Sequence, residues 1–256
     1  RRERLTFATH NLLADLPFTR IDIATCRNVL IYLQPDAQAE VLGRLHFGLV
    51  QKGVLVHSHT NGDQATEMAL DCLEGALLEQ PARDHRFTLQ HCQLADAAQF
   101  RRMARLGMCA NLFPNHHFYW GDQHAAFTVG PERAARMDAC ATAERLGVEF
   151  SFHSDTPVTP LGHLHVAWCA VNRLTATNKV LGSEERISVG SAMHAATIGA
   201  ARQIKLDHEI GSIQAGKLAD FAVLEDDPYE VDPTTLKDIG VWGTVVGGQH
   251  FPAGTG

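Results

Sequence analysis

The chain has 256 residues, 45% of them hydrophobic, with 22 basic and 29 acidic side chains and a formal net charge of −7. That length can bury one sizeable core, and scattered basic residues on an acidic chain exclude a nucleic-acid footprint or a polybasic membrane patch, leaving small molecules as the expected partners. No apolar run is long enough for a membrane span, and Arg1-Arg2-Glu3-Arg4 is not followed by the apolar stretch of a signal peptide, so a soluble, cytoplasmic setting is expected.

Up to Asp155, short β-branched runs alternate with helical stretches, the pattern of a parallel sheet built from strand-helix units. Strands are predicted near 5–10, 21–26, 53–60, 86–92, 108–113 and 149–155. The intervening stretch 35–50 opens on Pro35 at a first turn and carries apolar residues three and four apart, which predicts a helix. The same spacing predicts helices at 63–79, 95–106 and 131–146. Beyond Asp155 the order changes, with helices at 161–173 and 188–204. A glycine-punctuated β region over 211–224 and a further one near 241–248 form a small β appendage. The six cysteines, Cys26, Cys72, Cys92, Cys109, Cys140 and Cys169, include no C-x-x-C pair and read as buried reduced thiols. Fifteen histidines are about twice what an ordinary domain of this size carries, and several fall at predicted strand ends.

Five blocks carry a resemblance. H-T-N-G-D-Q-A (59–65), H-R-F-T-L-Q-H-C-Q-L (85–94), L-F-P-N-H-H-F-Y-W-G-D (112–122), H-S-D-T-P-V-T-P (153–160) and E-I-G-S-I-Q-A-G-K-L-A-D-F-A-V-L (209–224) resemble, in that order, the metal-dependent amidohydrolases of the amidohydrolase-3 type. Residues 4–56 are similar to something else. R-L-T-F-A-T-H-N-L-L-A-D-L-P, I-D-I-A-T-C-R-N-V-L-I-Y-L and L-V-Q-K-G-V-L resemble the later part of the cofactor domain of chemotaxis-receptor (CheR-type) methyltransferases. The segments that hold S-adenosylmethionine in that family would lie upstream of Arg1, so methyl transfer is not expected. The chain reads as a fusion: a methyltransferase-like fragment over 1–57 packed into the same sheet, a truncated amidohydrolase barrel over 58–205, and a β appendage over 206–256. The expected fold class is α/β, an incomplete or rearranged TIM-like (β/α) barrel. Six strand candidates are two short of a closed barrel, and an open parallel sheet needs cover. Self-association is one way to supply it, and a homo-oligomer is expected.

The resemblance implies that His59 and His91, at the ends of two barrel strands, are metal ligands. It also implies that Asp155 binds metal and takes the proton of the attacking water. In V-H-S-H-T, His57 and His59 point to one side of their strand, a spacing that can converge on zinc, so His57 is either a further ligand or a histidine bonded to a neighbouring strand. Asp155 ends an apolar strand; its alternative role is capping a following helix. His116 is a catalytic candidate, and His117, Tyr119, Trp120 and His153 are substrate-side candidates, with core packing as the alternative for the 112–122 loop. His10, Asn11, Cys26 and Arg27 end the borrowed strands and could face the same mouth. Asp63 reads as a helix N-cap or a supporting partner. The first-strand H-x-H and the bridging residue of the family have no counterpart. One zinc-type ion per chain is therefore expected, activating water against an amide, ester or related small-molecule bond. A promiscuous phosphotriester, ester or glycoside hydrolase and an inactive metal-binding relic are the alternatives.

Overall fold

The computed structural model describes residues 55–79 and 81–254 together with a few positions between 34 and 43. The strands expected near 5–10 and 21–26, with His10, Asn11, Cys26 and Arg27, lie outside the described residues. Of the helix expected over 35–50, the described positions Asp36, Ala37, Glu40, Val41 and Gly43 are helical. The chain divides into two compact units, Arg1–Val56 with Asp71–His85, and His57–Leu70 with Arg86–Gly256.

The second unit holds a parallel sheet of β1 (His57–Thr60), β2 (Thr88–His91), β3 (Cys109–Leu112) and β4 (Glu149–Phe152), adjacent in that order. Sequential parallel neighbours separated by helices are the repeating unit of a (β/α) barrel, and these four strands form an arc of one. Register explains which face is which. Ser58, Leu89, Ala110 and Phe150 share one row, and Leu89, Ala110, Leu112, Phe150 and Phe152, all on that face, are buried. Each of these leucines and phenylalanines contributes about 1.5–3 kcal/mol on burial. His59, Gln90, Asn111 and Ser151 share the next row on the opposite face, which is polar throughout.

The helices follow in chain order. α1 (Asp63–Glu79) has the predicted bounds. α2 (Ala97–Leu106) is closed at both ends by its sequence: Asp96 accepts from the backbone N–H of Ala98 and Gln99, Gln99 reaches back to the Asp96 N–H, and Gly107 terminates it at φ 69°. Phe100 and Met103, three apart, are its buried stripe. The segment read as a polar-aromatic loop is instead helix α3 (Asn115–Gln123), running into a π-helical turn at His124–Thr128. It lacks the apolar periodicity of an amphipathic helix, yet contains no β-branched residue and begins directly after Pro114, which is compatible with a helix start.

The single helix expected over 131–146 is two, α4 (Pro131–Ala135) and α5 (Cys140–Arg145), parted where Asp138 adopts φ 49°. α6 (His163–Asn172) is as expected. The helix expected over 188–204 breaks at Thr197 (φ −123°, ψ −94°) into α7 (Val189–Ala196) and α8 (Ile198–Gln203). The appendage is an antiparallel sheet of β5 (Phe221–Leu224), β6 (Val241–Val246) and β7 (Gln249–Pro252). It is tied to α6 where the Trp168 indole donates to the Thr234 carbonyl at 2.7 Å and the Asn172 amide to that of Pro233 at 2.9 Å. No helix among the described residues is long and apolar enough to cross a membrane. Cys72, Cys92, Cys109, Cys140 and Cys169 are free thiols, and burial pushes Cys92 up to about 12.

Candidate metal centre

At the carboxyl ends of the parallel strands, where such barrels keep their chemistry, three imidazoles converge. The His59 and His91 ring centroids lie 4.3 Å apart at 74°, and those of His91 and His153 lie 4.6 Å apart at 76°. Pleating alone would not bring the first pair together. Register sets His91 opposite Thr60, on the other face of the sheet from His59. A left-handed backbone at His91 (φ 70°) and Cys92 (φ 51°) ends the strand and turns the His91 ring back to the polar face. Such a conformation costs about 1–3 kcal/mol for a residue other than glycine. His153 follows β4 on the polar face and stacks on Phe113 at 4.9 Å and 18°.

Charge and burial agree on the state of these rings. Burial, with its histidine neighbours, pushes His91 down to about 4 and His153 to about 3, while Asp155 acts on His91 in the opposite direction. The His91 and His153 imidazoles are neutral at physiological pH and carry free lone pairs, the form that ligates a cation. Asp155 is half-buried at φ 51° beside a cleft of about 340 Å³ that His153, Thr156, Leu161 and His163 also line. It caps no helix: α6 starts at His163, after Gly162.

The other sequence candidates lie around this group. His57 is exposed, two residues down β1, with its Nδ1 2.6 Å from the Gln90 side-chain amide on the neighbouring strand. His116, on the first turn of α3, packs 5.1 Å from Phe113 and 5.0 Å from Trp120. His117 faces away from the cleft. It is fully buried, with Nδ1 2.5 Å from the Pro114 carbonyl, because one step along a helix rotates it from the mouth into the core. Tyr119 contacts Phe118, Trp120 and His165, a ring cluster beside α6. Asp63 opens α1 and pairs with Arg133 at 2.7 Å. His124 was absent from the sequence candidates, yet its Nε2 stands 3.3 Å from that of His116. The signal that could have found it is the four-residue spacing His116, Trp120, His124, a stripe that appears only if 115–124 is read as helix.

Several features suit a metal ion. His91 Nδ1, His116 Nδ1 and His153 Nε2 are buried nitrogens without a hydrogen-bond partner among the described residues. Polar atoms in that state cost free energy unless something meets them. The assembly is incomplete, however: among the described residues no three His, Cys, Asp or Glu side chains stand together in ligating geometry.

Comparison with known proteins decides the family. The model of the amidohydrolase family matches residues 5–251. The chain belongs to the amidohydrolase family. Among curated relatives, an Arabidopsis thaliana protein named LONG AFTER FAR-RED 3 is 32% identical over 216 residues, 83% of this chain and 36% of the relative. An N-substituted formamide deformylase from Arthrobacter pascens is 29% identical over 77% of this chain and 36% of its own length. The chain thus spans little more than a third of the length of these two relatives. A metal-dependent hydrolase from Pyrococcus horikoshii shares the fold at a TM-score of 0.65, with 20% identity over 79% of this chain and 39% of that one. An adenosine deaminase from Xanthomonas campestris, solved with zinc bound, does so at 0.59, with 18% identity over 83% of this chain and 48% of that one. The methyltransferase resemblance rests on less: 55 residues, 22% of the chain, are 44% identical to methyltransferase Cher3 of Pseudomonas putida. The family match begins at residue 5, so it takes in most of the 4–56 stretch as well.

Proposed function

We propose that this chain is a metal-dependent hydrolase in which His59 and His91 hold one zinc-type ion and Asp155 handles the proton of the attacking water. The observation that carries this reading is the 4.3 Å approach of His59 and His91 at the carboxyl ends of adjacent parallel strands. A bound divalent ion would supply Lewis-acid polarisation of the scissile bond and acidify a water. The residues do the rest. His91, held neutral, offers a lone pair rather than a proton, and Phe113 fixes the His153 ring behind it. Asp155 on the rim of the cleft is the carboxylate placed to accept a proton from water and return it to the leaving group. Gln90 and Asn111, in the same row of the sheet as His59, are polar groups that can orient a carbonyl substrate.

The substrate class we propose is a small amide, with N-substituted formamides first because one relative carries that name. Esters, phosphotriesters and activated glycosides form the wider panel. A second reading, a metal-binding relic without turnover, is favoured by the absence of a ready three-ligand group among the described residues. The test is amine release from an N-substituted formamide before chelation, after chelation and after Zn²⁺ is restored. Activity that disappears and returns supports hydrolysis. Zinc binding without turnover on any of the four bond classes selects the relic.

A further inference from the structure

The His116–His124 pair stands beside the His59–His91 group, and the reaction proposed above gives it no role. Eight helical residues separate the two Cα atoms by about 12 Å along the axis, so both side chains must extend toward each other to meet. They do, with Nε2 atoms 3.3 Å apart. The Thr128 oxygen lies 2.6 Å from His124 Nδ1 and 3.4 Å from the His124 carbonyl. When the hydroxyl donates to the carbonyl it accepts the Nδ1–H, and His124 Nε2 then carries a lone pair facing His116. The Gln93 carboxamide is the third group, 3.5 Å from the same Nε2. The carboxamide nitrogen also donates to the Met137 sulfur at 3.3 Å, a contact that Gln93 gives up when a half turn presents its oxygen to an ion.

We infer that His116, His124 and Gln93 form a second divalent transition-metal site. Bonds of about 2.05 Å at the tetrahedral angle hold ligand atoms about 3.3 to 3.4 Å apart, which is the separation of the two Nε2 atoms. The Thr128 contact to the opposite ring nitrogen of His124 is the kind of support that ligating histidines need. Two imidazoles and a carboxamide select Zn²⁺, Cu²⁺ or Ni²⁺ over Mg²⁺ or Ca²⁺. The site is reachable. No residue of the π-helical turn His124–Thr128 is buried, and π turns of this kind recur at functional positions.

The competing arrangement is a plain hydrogen bond from His116 to His124, and the test separates the two. Cu²⁺ is titrated into the His91→Ala protein, which disables the first centre, and into His91→Ala/His124→Ala. The inference expects about one equivalent with two imidazole nitrogens in the electron paramagnetic resonance spectrum, lost when His124 is removed. A signal unchanged by His124→Ala overturns it. If His91→Ala fails to fold, ¹⁵N imidazole spectra of the unmodified protein decide. With excess Zn²⁺, His116 and His124 must both show Nδ1–H with a metal-shifted Nε2. A His116 Nε2–H that persists at saturating Zn²⁺ shows a hydrogen bond only and overturns the inference. Either result is independent of whether His59 and His91 support turnover.

Discussion

Arg173 is the largest fully buried side chain among the described residues and the most demanding of them. Its guanidinium donates to the carbonyls of Met137 at 2.8 Å, Ala135 at 3.0 Å, Leu181 at 3.0 Å and Asp138 at 3.3 Å. It thereby pins the turn between α4 and α5 to the strap after α6. Burial drives the neighbouring Asp138 carboxyl well above the usual carboxylate range, although the Arg173 guanidinium and a backbone N–H of Phe113 act in the opposite direction. Arg173→Met keeps much of the side-chain bulk and removes every donor. Each stranded carbonyl costs about 1–3 kcal/mol before relaxation, and breaking a buried charged network costs about 3–5 kcal/mol in total. At this chain length that predicts a fall in Tm of roughly 6 to 20 °C. Thermal and urea unfolding, with exposed Arg101→Met as the control expected to stay within about 0.5 kcal/mol, measure it. If Arg173→Met unfolds no more easily than Arg101→Met, the four carbonyl bonds do not hold this region and the reasoning fails. The consequence reaches the metal centre, since the Asp138 N–H holds the Gln93 carbonyl, two residues beyond His91.

Other outcomes follow from the same structure. His91 and His116, both held at about 4, and His153, at about 3, lie below the unfolded value near 6.5, so between these limits the unfolded chain binds more protons. Stability of the metal-free protein is therefore complete above about pH 6.5 and declines as pH falls toward 4, which melting temperatures across that range will show; a flat profile contradicts neutral buried rings. In the appendage, Phe221, Trp242, Val246 and Phe251 are 39%, 55%, 56% and 46% exposed, and all four residues of β7 are exposed. Apolar side chains on an uncovered sheet predict a dimer or larger species by light scattering at micromolar concentration, and Trp242→Lys should dissociate it. A monomer before any substitution refutes that.

Much of this architecture was legible in the sequence, for reasons that can be named. The strands at 57–60, 88–91, 109–112 and 149–152 lie inside predicted runs because β-branched and apolar residues there are bounded by turns. α2 was readable from its stripe and its Asp96 and Gly107 ends. α3 was not, because N-H-H-F-Y-W-G-D has no apolar period, and with it went His124 and the burial of His117. The breaks at Asp138 and Thr197 depend on backbone angles that composition does not encode. His59 and His91 were named through family resemblance, whereas their meeting depends on the left-handed turn at His91, which overrides the alternation that would have parted them.

The central claim is that His59, His91 and Asp155 act on one metal ion, and elemental analysis of purified protein tests it most directly. The unmodified chain should retain at least about one divalent transition-metal ion after dialysis, and His59→Ala, His91→Ala and Asp155→Asn should each lose most of the more tightly held equivalent. His57→Ala should retain more, since its ring engages Gln90 and sits about 6 to 7 Å farther down the strand. Full metal content in all three of the first variants would contradict the account.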